Sequence, residues 1–139
     1  MKITDILAGK EKKIITLDGY ATVSQAVAEM VTADVGSVVV LLDGIVEGIF
    51  TERNVLKLWI NYDTVKDEAV IKFMSTNLIV TTPDDTVENA MSVMSQKNIR
   101  HLLVIQGKTL IGILSIKDII RAFAGNVSAS VQYMEKLFL

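Results

Sequence analysis

The chain has 139 residues, about one domain by length, and 50% of them are hydrophobic against 22% charged, enough apolar material for a core and too much for a disordered tail. It holds no cysteine and one histidine, His101, which excludes a disulfide framework, a Cys/His zinc site and cysteine-nucleophile chemistry. The formal net charge of -2 provides no basic field for nucleic acid or an anionic membrane, so an anionic ligand has to be held by local cations.

Lys2, Lys10, Lys12 and Lys13 lie near the N-terminus without an apolar stretch of signal-peptide length beside them. The richest apolar run, residues 35–50, is broken by Asp43 and Glu47 and is too short to span a bilayer. The expectation is a cytoplasmic protein with neither a membrane nor a nucleic acid as partner.

In chain order, a short strand is expected over residues 14–16, followed by a turn at Gly19. A helix comes next, because Val23, Ala26, Val27, Met30 and Val31 recur at i, i+3, i+4, i+7 and i+8. Thr22 and Gln25 are spaced as a capping box at its start. Strands over residues 37–42 and 45–50 flank Asp43-Gly44, a strong two-residue hairpin signal, and their Val/Ile/Leu density predicts burial on both faces. A second helix carries Val55, Leu56, Trp59 and Ile60, and residues 61–72 form a polar connection with a short helix of its own.

The same order then returns. It begins with a strand over residues 78–80, a turn with the only proline, Pro83, and a helix with Val87, Ala90, Met91 and Met94 on one face. Asp85 and Thr86 offer N-cap oxygens to that helix. Strands over residues 101–105 and 109–114 flank Gly107-Lys108, and a helix with Ile116, Ile119, Ile120 and Phe123 on one face closes the copy. The tail, residues 127–139, is amphipathic through Val131, Met134, Leu137 and Phe138 and invites packing against a partner.

Residues 22–56 overlay residues 86–120 without a gap at an offset of 64, with identity at Thr22/Thr86, Val23/Val87, Ala26/Ala90, Met30/Met94, Val40/Val104, Gly48/Gly112 and Ile49/Ile113. The fold class is therefore α/β (α+β), with two tandem β-α-β-β-α repeats. The expected division is residues 1–62, residues 63–125 and a helical tail over residues 126–139. A single copy of about 60 residues buries too little surface to stand comfortably alone.

The most specific local pattern is a glycine in a strand, then a polar quartet opening a helix. It reads Gly48-Ile49-Phe50-Thr51-Glu52-Arg53-Asn54 and, in the second copy, Gly112-Ile113-Leu114-Ser115-Ile116-Lys117-Asp118. Ser or Thr followed three residues later by Asp or Asn is close to a capping box, which is a structural reading of the same residues. The functional reading uses the partial positive charge and free N–H groups of a helix start to attract phosphate. Ser115 can donate to that phosphate, Lys117 adds charge, and the Asp118 carboxylate is suited to accept ribose hydroxyls. A nucleotide fits this set better than free phosphate.

Two tandem copies ending in Gly-apolar-apolar-Ser/Thr-x-x-Asp, with Ile99-Arg100-His101-Leu102-Leu103-Val104 leading into a strand, resemble a pair of cystathionine-β-synthase (CBS) domains, a Bateman module. The resemblance covers residues 3–124. It implies two sheets packed with pseudo-twofold symmetry, two clefts between the copies, and a regulatory adenine nucleotide (AMP, ADP or ATP) or S-adenosylmethionine as ligand, with no obligatory cofactor. It implies a homodimer, and regulation of an attached or partner protein whose identity the sequence does not give. Carried over residue by residue, one site joins Ser115, Lys117 and Asp118 to Ile15, Val35 and Gly36, with Arg100 near the phosphates. The other joins Thr51, Arg53 and Asn54 to Ile79, Ile99 and His101. Asn54 departs from the family's aspartate and loses a charge-assisted acceptor worth about 1.5–3 kcal/mol, so the Asp118 site is expected to bind better.

No nucleophile–base pair accompanies these residues, and His101 lacks the clustered partners of a metal ligand. Asp84-Asp85 is expected to serve a helix dipole, and Met30, Met91 and Met94 to fill the core. The expected function is non-catalytic nucleotide sensing, by a stand-alone regulator acting on a partner in trans. The alternatives are a structural dimerisation module with degenerate clefts and an enzyme acting on a bound nucleotide.

Overall fold

The structure is a computed structural model describing residues 1–9, 14–123 and 135–138. In chain order its elements are α1 (Ile3–Ala8), β1 (Thr16–Asp18), α2 (Val23–Ala33), β2 (Ser37–Leu42), β3 (Ile45–Thr51), α3 (Glu52–Leu58), the short α4 (Tyr62–Val65), β4 (Val80–Thr81), α5 (Val87–Lys97), β5 (His101–Gln106), β6 (Thr109–Ser115) and α6 (Ile116–Ala122), with 3-10 turns at Trp59–Asn61 and Val70–Lys72. The β-α-β-β-α order occurs twice, in a mixed α/β fold with two three-stranded sheets. In each sheet the first strand pairs parallel to the second, and the second and third form an antiparallel hairpin.

Local chemistry sets the same boundaries in both copies. The Thr22 side chain accepts from the Gln25 N–H (3.1 Å) while Gln25 Oε1 accepts from the Thr22 N–H (2.8 Å), so α2 opens on the expected capping box. Thr86 Oγ1 likewise accepts from the Asn89 N–H (3.0 Å) at the start of α5. Both helices stop at a short polar residue in the left-handed region, Asp34 (φ 53°) and Asn98 (φ 51°), a conformation such side chains tolerate. The first hairpin turns through Asp43 (φ 51°) and Gly44 (φ 78°), both positive as a type I′ turn requires. In the second hairpin only the first turn residue, Gly107 (φ 63°), is positive, which suits the type II′ alternative.

The chain divides into two compact units: Lys12–Leu78, and Met1–Glu11 together with Ile79–Leu139. In the first, Val23, Ala26 and Met30 of α2 form a core with Val38, Val40 and Phe50 of the sheet and Val70. In the second, Val87, Ala90, Met91 and Met94 of α5 meet Leu102, Val104, Leu114 and Ile119, and Ile3 and Ile6 complete that core. The three methionines are core residues, as their helical spacing predicts.

Four features differ from the reading of the sequence. The first strand of each copy forms its ladder about two residues later than the apolar run, at Thr16 and Val80. The carbonyls of Ile15 and Ile79 still accept from Val39 N–H (2.8 Å) and Leu103 N–H (3.1 Å), so the apolar residues mark entry to the sheet rather than the ladder itself.

The N-terminal segment belongs with the second copy's elements. Ile3 N–H donates to the Asp85 carbonyl (3.0 Å), Thr4 N–H to the Pro83 carbonyl (2.9 Å) and Val87 N–H to the Met1 carbonyl (3.1 Å). The connector does the same for the first copy: Val70 N–H donates to Ala21 (2.7 Å), Ile71 N–H to Gly19 (3.0 Å) and Val23 N–H to Glu68 (3.0 Å). Each copy is thus completed by a strap that precedes it or follows it in the chain.

The helical face read for the first copy is only partly inward. Val55 packs on the core, but Leu56, Trp59 and Ile60 are 74%, 70% and 94% exposed. Helix α3 ends at Leu58, so Trp59 and Ile60 leave the helical register. Finally, the described part of the tail packs on its own chain: residues 135–138 are helical, and Leu137 and Phe138 lie against the second core. Val131 and Met134 fall outside the described residues.

Candidate nucleotide site

Both quartets form closed capping boxes. The Ser115 N–H donates to Asp118 Oδ2 (2.9 Å), and Ser115 Oγ accepts from the Asp118 N–H (3.1 Å). In the first copy the Thr51 N–H donates to Asn54 Oδ1 (2.9 Å), and Thr51 Oγ1 accepts from the Asn54 N–H (3.3 Å). Asn54 and Asp118 are both buried. The structural reading of the quartet is therefore realised twice, and it fixes the hydroxyl and the carboxyl or carboxamide side by side at a helix start.

Within the second unit the fold gathers seven of the residues named from the sequence. His101 stands opposite Ser115 in the β5–β6 ladder, and the Arg100 carbonyl accepts from the Ile116 N–H (3.0 Å). Ile79, Ile99, Arg100 and His101 thereby line up along one end of the sheet beside Ser115, Lys117 and Asp118. Arg100 and Lys117 are exposed.

The first unit gathers the other six in the same way. Ser37 stands opposite Thr51, and the Gly36 carbonyl accepts from the Glu52 N–H (3.0 Å), which places Val35 and Gly36 next to Thr51, Arg53 and Asn54. Ile15 reaches the neighbouring strand through its carbonyl bond to Val39.

Three groups near these residues carry little sequence signal. Ser75, 21 residues from Asn54, receives a hydrogen bond from Asn54 Nδ2 (3.2 Å), so the carboxamide is tied to the connector strap. The Glu52 carboxylate lies against Gly36, so a side chain there would have to displace it; Ile116 occupies the matching position of the second copy, so the repeat gives no hint of it. Leu7 and Met74 occupy the space beside Gly112 and Gly48. The strap's own side chains fill that space.

Asp85 has the structural role its position suggests. Burial alone would raise its pKa, but hydrogen bonds from Asn89, Thr81 and the Thr86 N–H outweigh that and hold it below the ordinary aspartate value. Among the described residues no group of three or more His, Cys, Asp or Glu is placed to hold a metal ion, and no helix is long and apolar enough to cross a membrane.

The CBS domain family model matches residues 3–61 and again residues 65–125. The chain belongs to the CBS domain family. It is 38% identical over 107 residues to the mitochondrial CBS domain-containing protein CBSX3 of Arabidopsis thaliana, matching 73% of this chain and 52% of that one. Its fold is that of the CBS domain pair of protein MJ0100 in complex with 5′-methylthioadenosine and S-adenosylmethionine (TM-score 0.77, 23% identity, 90% and 97% of the two chains). It is equally that of the CBS domain protein PAE2072 of Pyrobaculum aerophilum complexed with AMP (TM-score 0.76, 20% identity, 98% and 99%).

Proposed function

We propose that this CBS pair is a non-catalytic regulatory module that binds an adenine nucleotide or S-adenosylmethionine and passes the metabolite's level to a partner protein. The observation that carries the reading is the strand–glycine–quartet unit, present twice in register and closed each time as a capping box. It presents a hydroxyl, a buried carboxyl or carboxamide and helix N–H groups together, the set that phosphate and ribose require. The AMP and S-adenosylmethionine complexes of the two similar folds agree with that chemistry.

In this reading one site uses Ser115, Lys117, Asp118 and Arg100 with Ile15, Val35 and Gly36. The other uses Thr51, Arg53 and Asn54 with Ile79, Ile99 and His101. The Asp118 site is the stronger, because Asp118 offers a charge-assisted acceptor where Asn54 is a neutral carboxamide. The protein acts in the cytoplasm as a homodimer, with the exposed Leu56, Trp59 and Ile60 as its self-contact.

Thermal unfolding with AMP, ADP, ATP, S-adenosylmethionine and NAD, each tested alone, decides the ligand question. A ligand at a hundredfold excess over Kd should stabilise by about 2.7 kcal/mol. Asp118→Ala should weaken that ligand more than Asn54→Ala does. No shift with any of the five would leave the structural dimerisation reading, and conversion of a bound nucleotide, followed by chromatography, would restore an enzymatic one.

A further inference from the structure

Residues 135–138 form one helical turn at the C-terminal end of α5. Leu137 and Phe138 lie against the second core, and the Ser95 hydroxyl donates to the Leu137 carbonyl. A helix of four residues does not sustain itself in water, so this segment keeps its conformation through such contacts. Leu137 and Phe138 also line a cavity of about 170 Å3 that Ile99 and Arg100 line with them.

Those two residues connect the tail to the quartet. The left-handed Asn98 ends α5, and the Ile99 N–H donates back to the Met94 carbonyl (3.0 Å), which fixes where Ile99 and Arg100 leave the helix. The Arg100 carbonyl then accepts from the Ile116 N–H, the residue following Ser115 (3.0 Å). Ile99 and Arg100 therefore stand between the Ser115 turn and the cavity that Leu137 and Phe138 line.

We propose that the C-terminal segment is a latch on the nucleotide site: Leu137 and Phe138, seated beside Ile99 and Arg100, oppose ligand binding, and the ligand releases them. This rests on the reading above in which Arg100 meets the phosphates beside Ser115, Lys117 and Asp118. Arg100 lines the tail's cavity, so in this proposal its engagement with a phosphate comes at the expense of the seat of Leu137 and Phe138. The freed tail, with two apolar side chains no longer covered, is the signal a partner receives.

The coupling is reciprocal, which gives two readouts for one idea. AMP, ATP and S-adenosylmethionine are titrated separately into the full chain and into a Leu137→Ser/Phe138→Ser variant by calorimetry. Amide hydrogen exchange over residues 94–100 and 135–138 is followed with and without each ligand. The variant should bind at least about fivefold more tightly, the lower end of ordinary allosteric coupling. Ligand should speed exchange in residues 135–138 of the wild type. Ser95→Ala, which removes one tail contact and leaves the core intact, should shift affinity in the same direction by less. Equal affinities in wild type and both variants, with a ligand bound in each, overturn the latch and leave the nucleotide reading standing. Binding in none of them overturns the nucleotide reading and the latch with it. Slower exchange of the tail on ligand addition also overturns the latch, since it makes the tail a lid that closes over the ligand.

Discussion

At the start of α5 the Asp85 carboxylate accepts hydrogen bonds from Thr81 Oγ1 (2.9 Å), Asn89 Nδ2 (2.8 Å) and the Thr86 N–H (2.9 Å). Burial works against the charged form, but these donors prevail and the folded-state pKa lies below the unfolded one. A depressed carboxyl pKa stabilises the fold fully above the unfolded value and stops doing so as pH falls through the folded one. Between neutral pH and mild acid the protein should therefore be more stable than its Asp85→Asn variant, and the gap should close as pH falls below about 4, the ordinary aspartate value. Urea titrations at a series of pH values test this; a gap that widens in acid would refute it. Asn54 makes a second case. Asn54→Ala removes the partners of the Thr51 N–H and of Ser75, and should cost about 1–3 kcal/mol in urea unfolding even without ligand. The capping roles of Thr22, Thr86, Thr51 and Ser115 were legible in the sequence because caps are local. The Asn54–Ser75 bond was not, because its partner is 21 residues away and serine has no spacing that announces it.

Helices, hairpins and core faces were legible for the same reason: periodicity and turn chemistry act over a few residues. The straps were not. Their likeness lies at an offset of 67, with Ile3 matching Val70, Ile6 matching Phe73 and Leu7 matching Met74, whereas the rest of the repeat runs at 64. A three-residue difference hides such a short segment from an ungapped overlay. The straps explain the paired glycines. A Cβ on Gly48 would come within 2.7 Å of the Ser75 carbonyl oxygen and 2.6 Å of Met74 Sδ, whereas one on Gly112 would meet only the flexible end of Leu7, at 2.9 Å. Gly48→Ala should cost on the order of 1–3 kcal/mol, because backbone has to move, and Gly112→Ala should cost less. Chemical denaturation of the two variants ranks them, and equal losses would contradict the strap's rigidity. The N-terminal strap also makes residues 1–9 part of the second unit's core. Ile3→Ala should accordingly speed hydrogen exchange in α5 while leaving α2 unchanged.

Over the whole molecule, the composition that excluded so much chemistry also leaves apolar side chains uncovered. Leu56, Trp59 and Ile60, adjacent at the end of α3, are each at least 70% exposed, and Trp59 lies 6.3 Å from the Tyr62 ring, centroid to centroid. The sequence placed them on a helix face; it could not show that the helix would stop at Leu58 and turn that face outward. If a second copy covers them through a twofold axis, each side chain is buried twice, so one substitution removes two anchors. At about 1.5–3 kcal/mol for each buried large apolar side chain, losing Ile60 on both copies costs about 3–6 kcal/mol. That is about two to four decades in the dimer constant, at about 1.4 kcal/mol per decade. Analytical ultracentrifugation should find the wild type dimeric at concentrations where Ile60→Glu is monomeric. The protein's only tryptophan reports the same event: Trp59 emission should shift to shorter wavelength as wild-type concentration rises and stay fixed in Ile60→Glu. A wild type that sediments as a monomer with constant Trp59 emission would remove the dimer and leave this face to the regulated partner.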